Sequence, residues 1–256
     1  LSVGVCDVTT LGKIDIQGKD AAAFLNKIYA NGFAKLPVGK TRYGLMLRED
    51  GIAMDDGTTA RLSEHHFVMT TTTANAVEVF RHMEFCRQCL WPGLDVHLIS
   101  VTEQWAQFAV AGPNSRALLR KIVDADFDIS NEAFPFMACG EIAICGGIPG
   151  RLFRISFSGE LAYEIAVPAR YGDALIRALM EAGREYDVVS YGTEALGVMR
   201  IEKGHAAGNE LTGQTTARDL GMARMVSKKK DCIGSILSER PDLNREDGLA
   251  LVGFFP

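Results

Sequence analysis

Two adjacent carboxylates, Asp55 and Asp56, follow a short apolar step and precede a run of threonines that is typical of a strand. Side chains alternate between the two faces of a strand, so one of these acids would face the interior or a cleft. A carboxylate removed from water needs a hydrogen-bonding partner or a chemical role, such as accepting a proton or stabilising a cation. The alternative is a polar turn at 55–57 that leaves both acids in water.

A third acid, Glu164, stands near the start of a predicted strand, directly after a polar turn. Tyr163 and Glu164 lie on opposite faces of that strand, so one of them points inward. An inward carboxylate accepts two adjacent N–H donors at once, which suits a flat ligand that offers such a pair. Arg200, near the end of a predicted helix, would neutralise the acids or hold a ligand carboxylate. Spacing alone also allows an internal Arg–Glu pair with both turns at the surface.

Other reactive side chains lack the spacing of a known site. The sequence has 6 cysteines, and Cys86 and Cys89 form a CxxC without the second pair that a zinc tetrad needs. We therefore predict reduced thiols and no metal site. GxSxG, HExxH and Walker-type motifs are absent from the sequence. The run 228–230 is three lysines, which is typical of a solvated face, although contact with an anionic ligand tail is the alternative.

Composition limits the class of protein. The 256 residues are 47% hydrophobic and 23% charged, as in an ordinary globular protein of one large or two modest domains. A net charge of −5 gives no indication of nucleic-acid binding, and no apolar run approaches the ~20 residues of a membrane span. The chain begins without Met or a signal peptide and ends in an apolar run, so we expect a piece of a longer cytoplasmic protein.

Hydrophobic periodicity predicts two similar passes of strands and helices, with a first unit at 1–103, a second at 104–211 and a final segment at 212–256. Because the passes lack regular βα alternation and a GxGxxG after a strand, they favour an α+β fold of ferredoxin-like character. The predicted strands are at 13–18, 42–47, 52–62, 67–70, 96–101, 104–111, 134–145, 152–157 and 163–168, and the predicted helices are at 20–29, 74–89, 112–122, 171–182 and 192–203.

Four segments resemble motifs of the glycine-cleavage T-protein (aminomethyltransferase) family, in the same order. Gly-Val-Cys-Asp-Val-Thr at 4–9 resembles its G-x-x-D-[VL]-[ST], and Gly-Ile-Ala-Met-Asp-Asp at 51–56 resembles its G-G-[VI]-[IL]-D-D. The segment 158–164 is similar to T-G-E-x-G-[YF]-E, and 200–204 is similar to R-[LI]-E-x-G. Departures are Gly57, where the family has an apolar residue, and a Ser and an Ala in place of Thr and Gly in the third motif.

The resemblance implies a T-protein-like folate-binding fold with tetrahydrofolate in a central channel. It also implies a C-terminal β-barrel, so 212–256 would be a crossover followed by the barrel's first residues at 250–256. By position, Asp56 matches the acid nearest the reacting folate nitrogens, and Glu164 matches the acid that pairs with the pterin N–H donors. Tyr43 and Arg200 match further folate contacts, and Thr70 falls where the family has an Asn contact. Asp55, on the other face of its strand, is expected to be a solvated acid.

Within the family, 11–18, 200–210 and 225–230 are most similar to the folate domain of heterotetrameric sarcosine oxidase alpha subunits. This similarity implies one-carbon transfer that traps the imine from sarcosine oxidation as 5,10-methylenetetrahydrofolate. The implied partners are the remaining alpha-subunit domains and the beta, gamma and delta subunits, with flavin and NAD bound elsewhere, so the isolated chain is not expected to act as an oxidase. The alternatives are a free-standing aminomethyltransferase and a non-catalytic folate-binding assembly module.

Overall fold

The computed structural model describes residues 2–254, which divide into two compact units that are each discontinuous in sequence. The first unit contains the residues up to 11, 39–41 and 101–205, and the second contains 12–38, 42–100 and the residues from 206 onward. The chain therefore passes between the units several times. The contiguous segments 1–103, 104–211 and 212–256 stay a prediction about chain organisation.

Strands and helices alternate irregularly along the described residues. The strands are β1 (Gly4–Asp7), β2 (Gly12–Gln17), β3 (Lys40–Leu47), β4 (Ala53–Ser63), β5 (His66–Thr71), β6 (His97–Ser100), β7 (Trp105–Ala111), β8 (Cys139–Ile144), β9 (Ile148–Phe153), β10 (Ala162–Pro168) and β11 (Val189–Ser190). The α-helices are α1 (Ala21–Ile28), α2 (Ala76–Phe85), α3 (Ser115–Leu119), α4 (Gly172–Ala182) and α5 (Thr193–Lys203).

The first unit is built on a six-stranded sheet with the order β11-β1-β7-β10-β9-β8. β7 pairs antiparallel with β1 and β10, so that Cys6, Ala109 and Glu164 lie in one row across three strands. The neighbouring row contains Val110 and Tyr163, which belong to the buried core that the sheet forms with α3 and α4. Because successive residues point to opposite faces, the row with Glu164 lies on the face opposite this core.

The second unit is built on a five-stranded sheet with the order β3-β4-β5-β2-β6. Its core combines the inward face of the sheet, with residues such as Ile14, Ile16 and Phe67, and one face of each of two α-helices. α1 buries one face because its apolar residues recur at helical spacing: Ala21, Phe24, Leu25 and Ile28. α2 adds Val79 and Met83 to the same cluster.

The residues after 205 form no α-helix and no strand within the described chain. Ala206, Ala217 and Leu220 nevertheless pack with Leu45 and Leu47 in a small buried cluster of the second unit. The segment after 212 is thus irregular, and a few apolar contacts attach it to the second unit.

The structure confirms the predicted α+β class with two sheets, and the described residues contain no closed barrel. The segment 250–256, where the first residues of a barrel were expected, has no strand up to Phe254, and its last two residues lie outside the described residues.

The helix predicted over 74–89 ends its α-helical part at Phe85 and continues as a π-helical turn, Cys86–Leu90. Cys86 is buried and Cys89 is exposed in that turn, and both are free thiols.

Lys230 closes the C-terminal end of α1. Its Nζ donates to the carbonyl of Asn26 at 2.6 Å and to the carbonyl of Tyr29. Partial burial lowers the pKa of Lys230. A cation at a helix C-terminus satisfies carbonyls that have no partner within the helix and is favoured by the helix dipole. Lys230 therefore has a structural role, whereas Lys228 and Lys229 are exposed.

We expect Lys230→Met to lower the free energy of unfolding by roughly 1–2 kcal/mol, because two helix-terminal carbonyls lose a charged donor. Urea denaturation measures this change. Lys229→Met is the matched control, since an exposed substitution is expected to stay within about 0.5 kcal/mol of wild type. Equal effects of the two substitutions would contradict this role of Lys230.

Candidate functional site

Asp55 and Asp56 lie within β4, between β3 and β5. The predicted strand is confirmed and the polar-turn alternative is wrong, because β4 stays extended through both acids and pairs with β5 further along. Asp56 is hydrogen-bonded to Tyr43, whereas Asp55 is hydrogen-bonded to Thr72 and Asn75. These separate partners follow from the alternation of side chains along a strand.

Asp56 and Tyr43 form a hydrogen-bonded pair on neighbouring strands. Tyr43 Oη donates to Asp56 Oδ2 at 2.7 Å, and both residues are half-buried. Burial raises the pKa of Asp56, and the hydrogen bond from Tyr43 opposes that rise. Burial and the charge of Asp56 raise the pKa of Tyr43, so the phenol keeps its proton. The pair therefore presents a carboxylate whose ionised form is supported by a fixed neutral donor.

Asp55 is not the solvated acid that was expected, because the residue is 1% exposed. Its carboxylate accepts from Thr72 Oγ1 at 2.7 Å, from Thr72 N at 3.2 Å and from Asn75 Nδ2 at 3.0 Å. Burial raises the pKa of Asp55 to about 6, against the effect of these donors, and the charge of Asp56 adds to the rise. Asp55 thus ties β4 to the loop that leads into α2.

Asp55→Asn is expected to change the pH dependence of stability. The folded-state pKa near 6 lies above the ordinary value of about 3.9, so the folded protein binds more protons between these values. The contribution of Asp55 to stability is therefore largest near pH 4 and is lost as the pH rises through 6. The free energy of unfolding of wild type minus that of the variant should fall by roughly 2–3 kcal/mol from pH 4 to 7. Urea denaturation across this range tests it, and a constant difference would contradict it.

Thr70 lies on β5, next to the strand that carries Asp56. Its hydroxyl is 3.0 Å from Thr58 Oγ1 and accepts from Thr58 N at 3.2 Å. A Cβ on Gly57 would lie 2.0 Å from the carbonyl oxygen of Thr70, which no side chain could tolerate. The glycine therefore permits a close backbone approach beside Asp56.

In the first unit, Glu164 is 9% exposed and is hydrogen-bonded to a buried amide. Gln107 Nε2 donates to Glu164 Oε2, and Gln107 itself is 2% exposed. Gln107 is not among the site residues predicted from the sequence. The available signal was an amide inside the otherwise apolar strand at 105–111, since a buried amide needs a partner. Gln107 fixes one oxygen of the carboxylate in place.

Arg200 is the residue of α5 that the structure buries. Its Nη1 donates to the carbonyl of His205 at 3.2 Å, and His205 N donates back to the carbonyl of Arg200 at 2.8 Å. Gly204, with φ of 75°, supplies the left-handed conformation that ends the helix. The helix end thus holds the position of the guanidinium.

The structure brings two of the predicted site residues, Tyr43 and Asp56, into direct contact, and it places Thr70 in the same unit. Glu164 and Arg200 belong to the other unit. Their assignment to a common ligand stays a prediction. Within residues 2–254, no group of three His, Cys, Asp or Glu side chains is arranged to hold a metal ion. No helix in this range is long and apolar enough to span a bilayer.

This fold is that of the aminomethyltransferases. The structure matches the crystal structure of glycine cleavage system aminomethyltransferase T from Bartonella henselae, with a TM-score of 0.79 and 26% identity over 92% of this chain and 62% of that chain. It also matches a chain of heterotetrameric sarcosine oxidase from Corynebacterium sp. U-96 in fold, with a TM-score of 0.54 and 18% identity over 72% of this chain and 85% of that chain.

A family model described as the GCVT N-terminal domain matches residues 1–230, so the chain belongs to this family, as its motifs predicted. Over its full length the chain is 57% identical to sarcosine oxidase subunit alpha from Rhizobium meliloti and 48% identical to that from Corynebacterium sp. U-96, and it spans 26% of each. It is 32% identical to aminomethyltransferase from Thermus thermophilus, of which it spans 70%.

Proposed function

We propose that the chain is the tetrahydrofolate-binding, one-carbon transfer domain of a sarcosine oxidase alpha subunit. The observation that carries the proposal is the half-buried carboxylate of Asp56, held by the phenol of Tyr43 at 2.7 Å. The higher identity to sarcosine oxidase alpha subunits (57% and 48%) than to aminomethyltransferase (32%) supports the assignment to the oxidase branch over a free-standing aminomethyltransferase.

The polar side chains of the first unit suit the binding of a folate. Glu164 is a buried carboxylate in a fixed orientation, because Gln107 holds one of its oxygens. A carboxylate of this kind matches the adjacent N–H donors of an aminopyrimidinone ring. Tetrahydrofolate, when bound, would supply the two nitrogens that take over the methylene carbon of the sarcosine-derived imine, giving 5,10-methylenetetrahydrofolate and glycine. Arg200 and Thr70 are proposed as further contacts with the folate.

The proposed role of Asp56 has two parts. Its negative charge stabilises the positive charge of a protonated imine. This electrostatic attraction is strongest where water is largely excluded. The same carboxylate accepts the proton that an attacking nitrogen loses. Tyr43 keeps the carboxylate oriented and ionised for both tasks, since its hydrogen bond favours the charged form.

The oxidation itself is proposed to occur elsewhere. The chain spans 26% of the length of the alpha subunits that it matches, which leaves room for flavin, NAD and sarcosine sites outside it. On this proposal its partners are the remaining alpha-subunit domains and the beta, gamma and delta subunits, in the cytoplasm. Folate in this domain would then determine whether the imine is transferred or hydrolysed to formaldehyde.

Asp56→Asn in the full-length complex is expected to lower one-carbon transfer by about a hundredfold or more, because the acceptor for the proton is lost. Sarcosine-dependent oxygen uptake should stay near wild type, and formaldehyde should replace 5,10-methylenetetrahydrofolate as the one-carbon product. Product analysis together with oxygen uptake measures how the imine is partitioned between transfer to folate and hydrolysis to formaldehyde. Binding of folinic acid should also stay near wild type.

The matched control for this experiment is Asp50→Asn. Asp50 is a partly exposed acid of the hairpin before β4, and its carboxylate pairs with Arg48 at 2.6 Å. Its loss should leave the partition unchanged. An Asp56→Asn complex that forms 5,10-methylenetetrahydrofolate at the wild-type rate would contradict the proposed role, and a wild-type complex that does not bind folinic acid would contradict the proposed function.

Tyr43→Phe is expected to move the acid limb of the pH profile for one-carbon transfer to higher pH. Without the phenol the pKa of Asp56 rises further, so a larger share of the carboxylate is protonated and inactive at a given pH. One hydrogen bond to a charged group corresponds to a shift of about one pH unit. The pH dependence of kcat/KM for transfer measures it. A profile with reduced height and an unmoved acid limb would show that Tyr43 does not support the ionised form of Asp56.

A further inference from the structure

Tyr191 carries a buried hydroxyl for which the described residues provide no hydrogen-bonding partner. The residue directly follows β11, which pairs with β1 at one edge of the six-stranded sheet. Its backbone N–H donates to the carbonyl of Val5 at 3.0 Å, so the position of the residue is fixed by the sheet. A buried hydroxyl without a partner costs free energy, and so it calls for an explanation.

The ring of Tyr191 lies on the same face of the sheet as Glu164. A Cβ added to Gly4 would lie 2.8 Å from Tyr191 Cδ1, so the ring covers the face of β1 towards which that Cβ would point. Cys6 is two residues further along β1 and therefore shares this face. The strand register then continues from Cys6 through Ala109 to Glu164.

Electrostatic effects indicate that these groups are close together. The pKa of Tyr191 is raised to about 12 by burial, with further contributions from Cys6 and Glu164. The pKa of the Cys6 thiol is raised by burial and, to a smaller extent, by the charges of Asp7 and Glu164. The phenol thus remains protonated near the carboxylate without a hydrogen bond to it, and it is available as a donor and an acceptor.

We propose that the Tyr191 hydroxyl is a further contact with the flat heteroaromatic ring that Glu164 binds, and that the two side chains recognise the ring together. This inference rests on the proposed folate binding. An ionised carboxylate only accepts hydrogen bonds, whereas a phenol also donates one. Glu164 would bind the N–H donors of a pterin, and Tyr191 would donate to an acceptor atom of the same ring. A ring without that acceptor would lack this hydrogen bond and would bind more weakly.

The test is Tyr191→Phe in the full-length complex, because this change removes only the hydroxyl. Calorimetric titration with folinic acid should give a dissociation constant about tenfold higher than wild type, the usual effect of losing one hydrogen bond to a ligand. A tetrahydropterin without the aminobenzoyl-glutamate tail, used as a competitor, should lose affinity by a similar factor. Without ligand, the Tm of the variant should equal or exceed that of wild type, because the hydroxyl has no partner to lose.

Tyr163→Phe is the matched control from the opposite face of the same sheet. Tyr163 is fully buried, and its Oη accepts from Arg116 Nε at 2.6 Å. Its loss should lower the Tm without ligand and leave the affinity for folinic acid unchanged. The control therefore shows what a purely structural tyrosine does in each measurement.

Three results would overturn the inference about Tyr191. The first is wild-type affinity of Tyr191→Phe for folinic acid, and the second is weaker binding of folinic acid but not of the tetrahydropterin. The third is a Tm without ligand that falls as it does in Tyr163→Phe, which would make Tyr191 a structural residue. Each of these leaves the proposed function intact. A wild-type complex that binds neither compound would instead remove the proposed function, and this inference with it.

Discussion

Two consecutive carboxylates on one strand impose the constraint on which the second unit depends. Their side chains must leave β4 on opposite faces, and neither can leave water without a partner. The outcome is that Asp55 binds Thr72 and Asn75, whereas Asp56 binds Tyr43. The pair thereby connects three neighbouring parts of the unit, namely β3, β4 and the loop before α2. Asp55 thus serves the structure, and Asp56 is the acid for which we propose a chemical role, although both come from a single motif.

The first unit meets a similar demand in a different way. Glu164 has a buried amide, Gln107, as its hydrogen-bonding partner, and the row that contains it continues into small side chains such as Ala109. A small side chain such as that of Ala109 covers little of the sheet surface, and the carboxylate of Glu164 beside it is held in one orientation by Gln107. The helix end at Arg200 adds a positive charge held by backbone contacts. In both units, polar groups are therefore positioned by regular backbone elements, which hold side chains more rigidly than loops do.

Much of the fold could be predicted from the sequence, because periodicity specifies each strand and helix locally. The α+β class and the strand character of β4 followed from this local pattern. The sequence did not identify Asp55 as the buried acid, since its partners come 17 and 20 residues later and their approach depends on the path of β5. The role of Lys230 depends on α1, about two hundred residues earlier in the chain. The Tyr191 hydroxyl, which has no hydrogen-bonding partner among residues 2–254, could be found only in three dimensions, because a lack of partners has no sequence pattern.

Gly57 has a consequence for how this protein can evolve. Every codon change that replaces glycine adds a Cβ, and at this position the first added atom would lie 2.0 Å from a backbone oxygen of β5. A single substitution of Gly57 therefore requires that β4 and β5 first move apart beside Asp56. As long as the two strands keep their present spacing, this position is restricted to glycine.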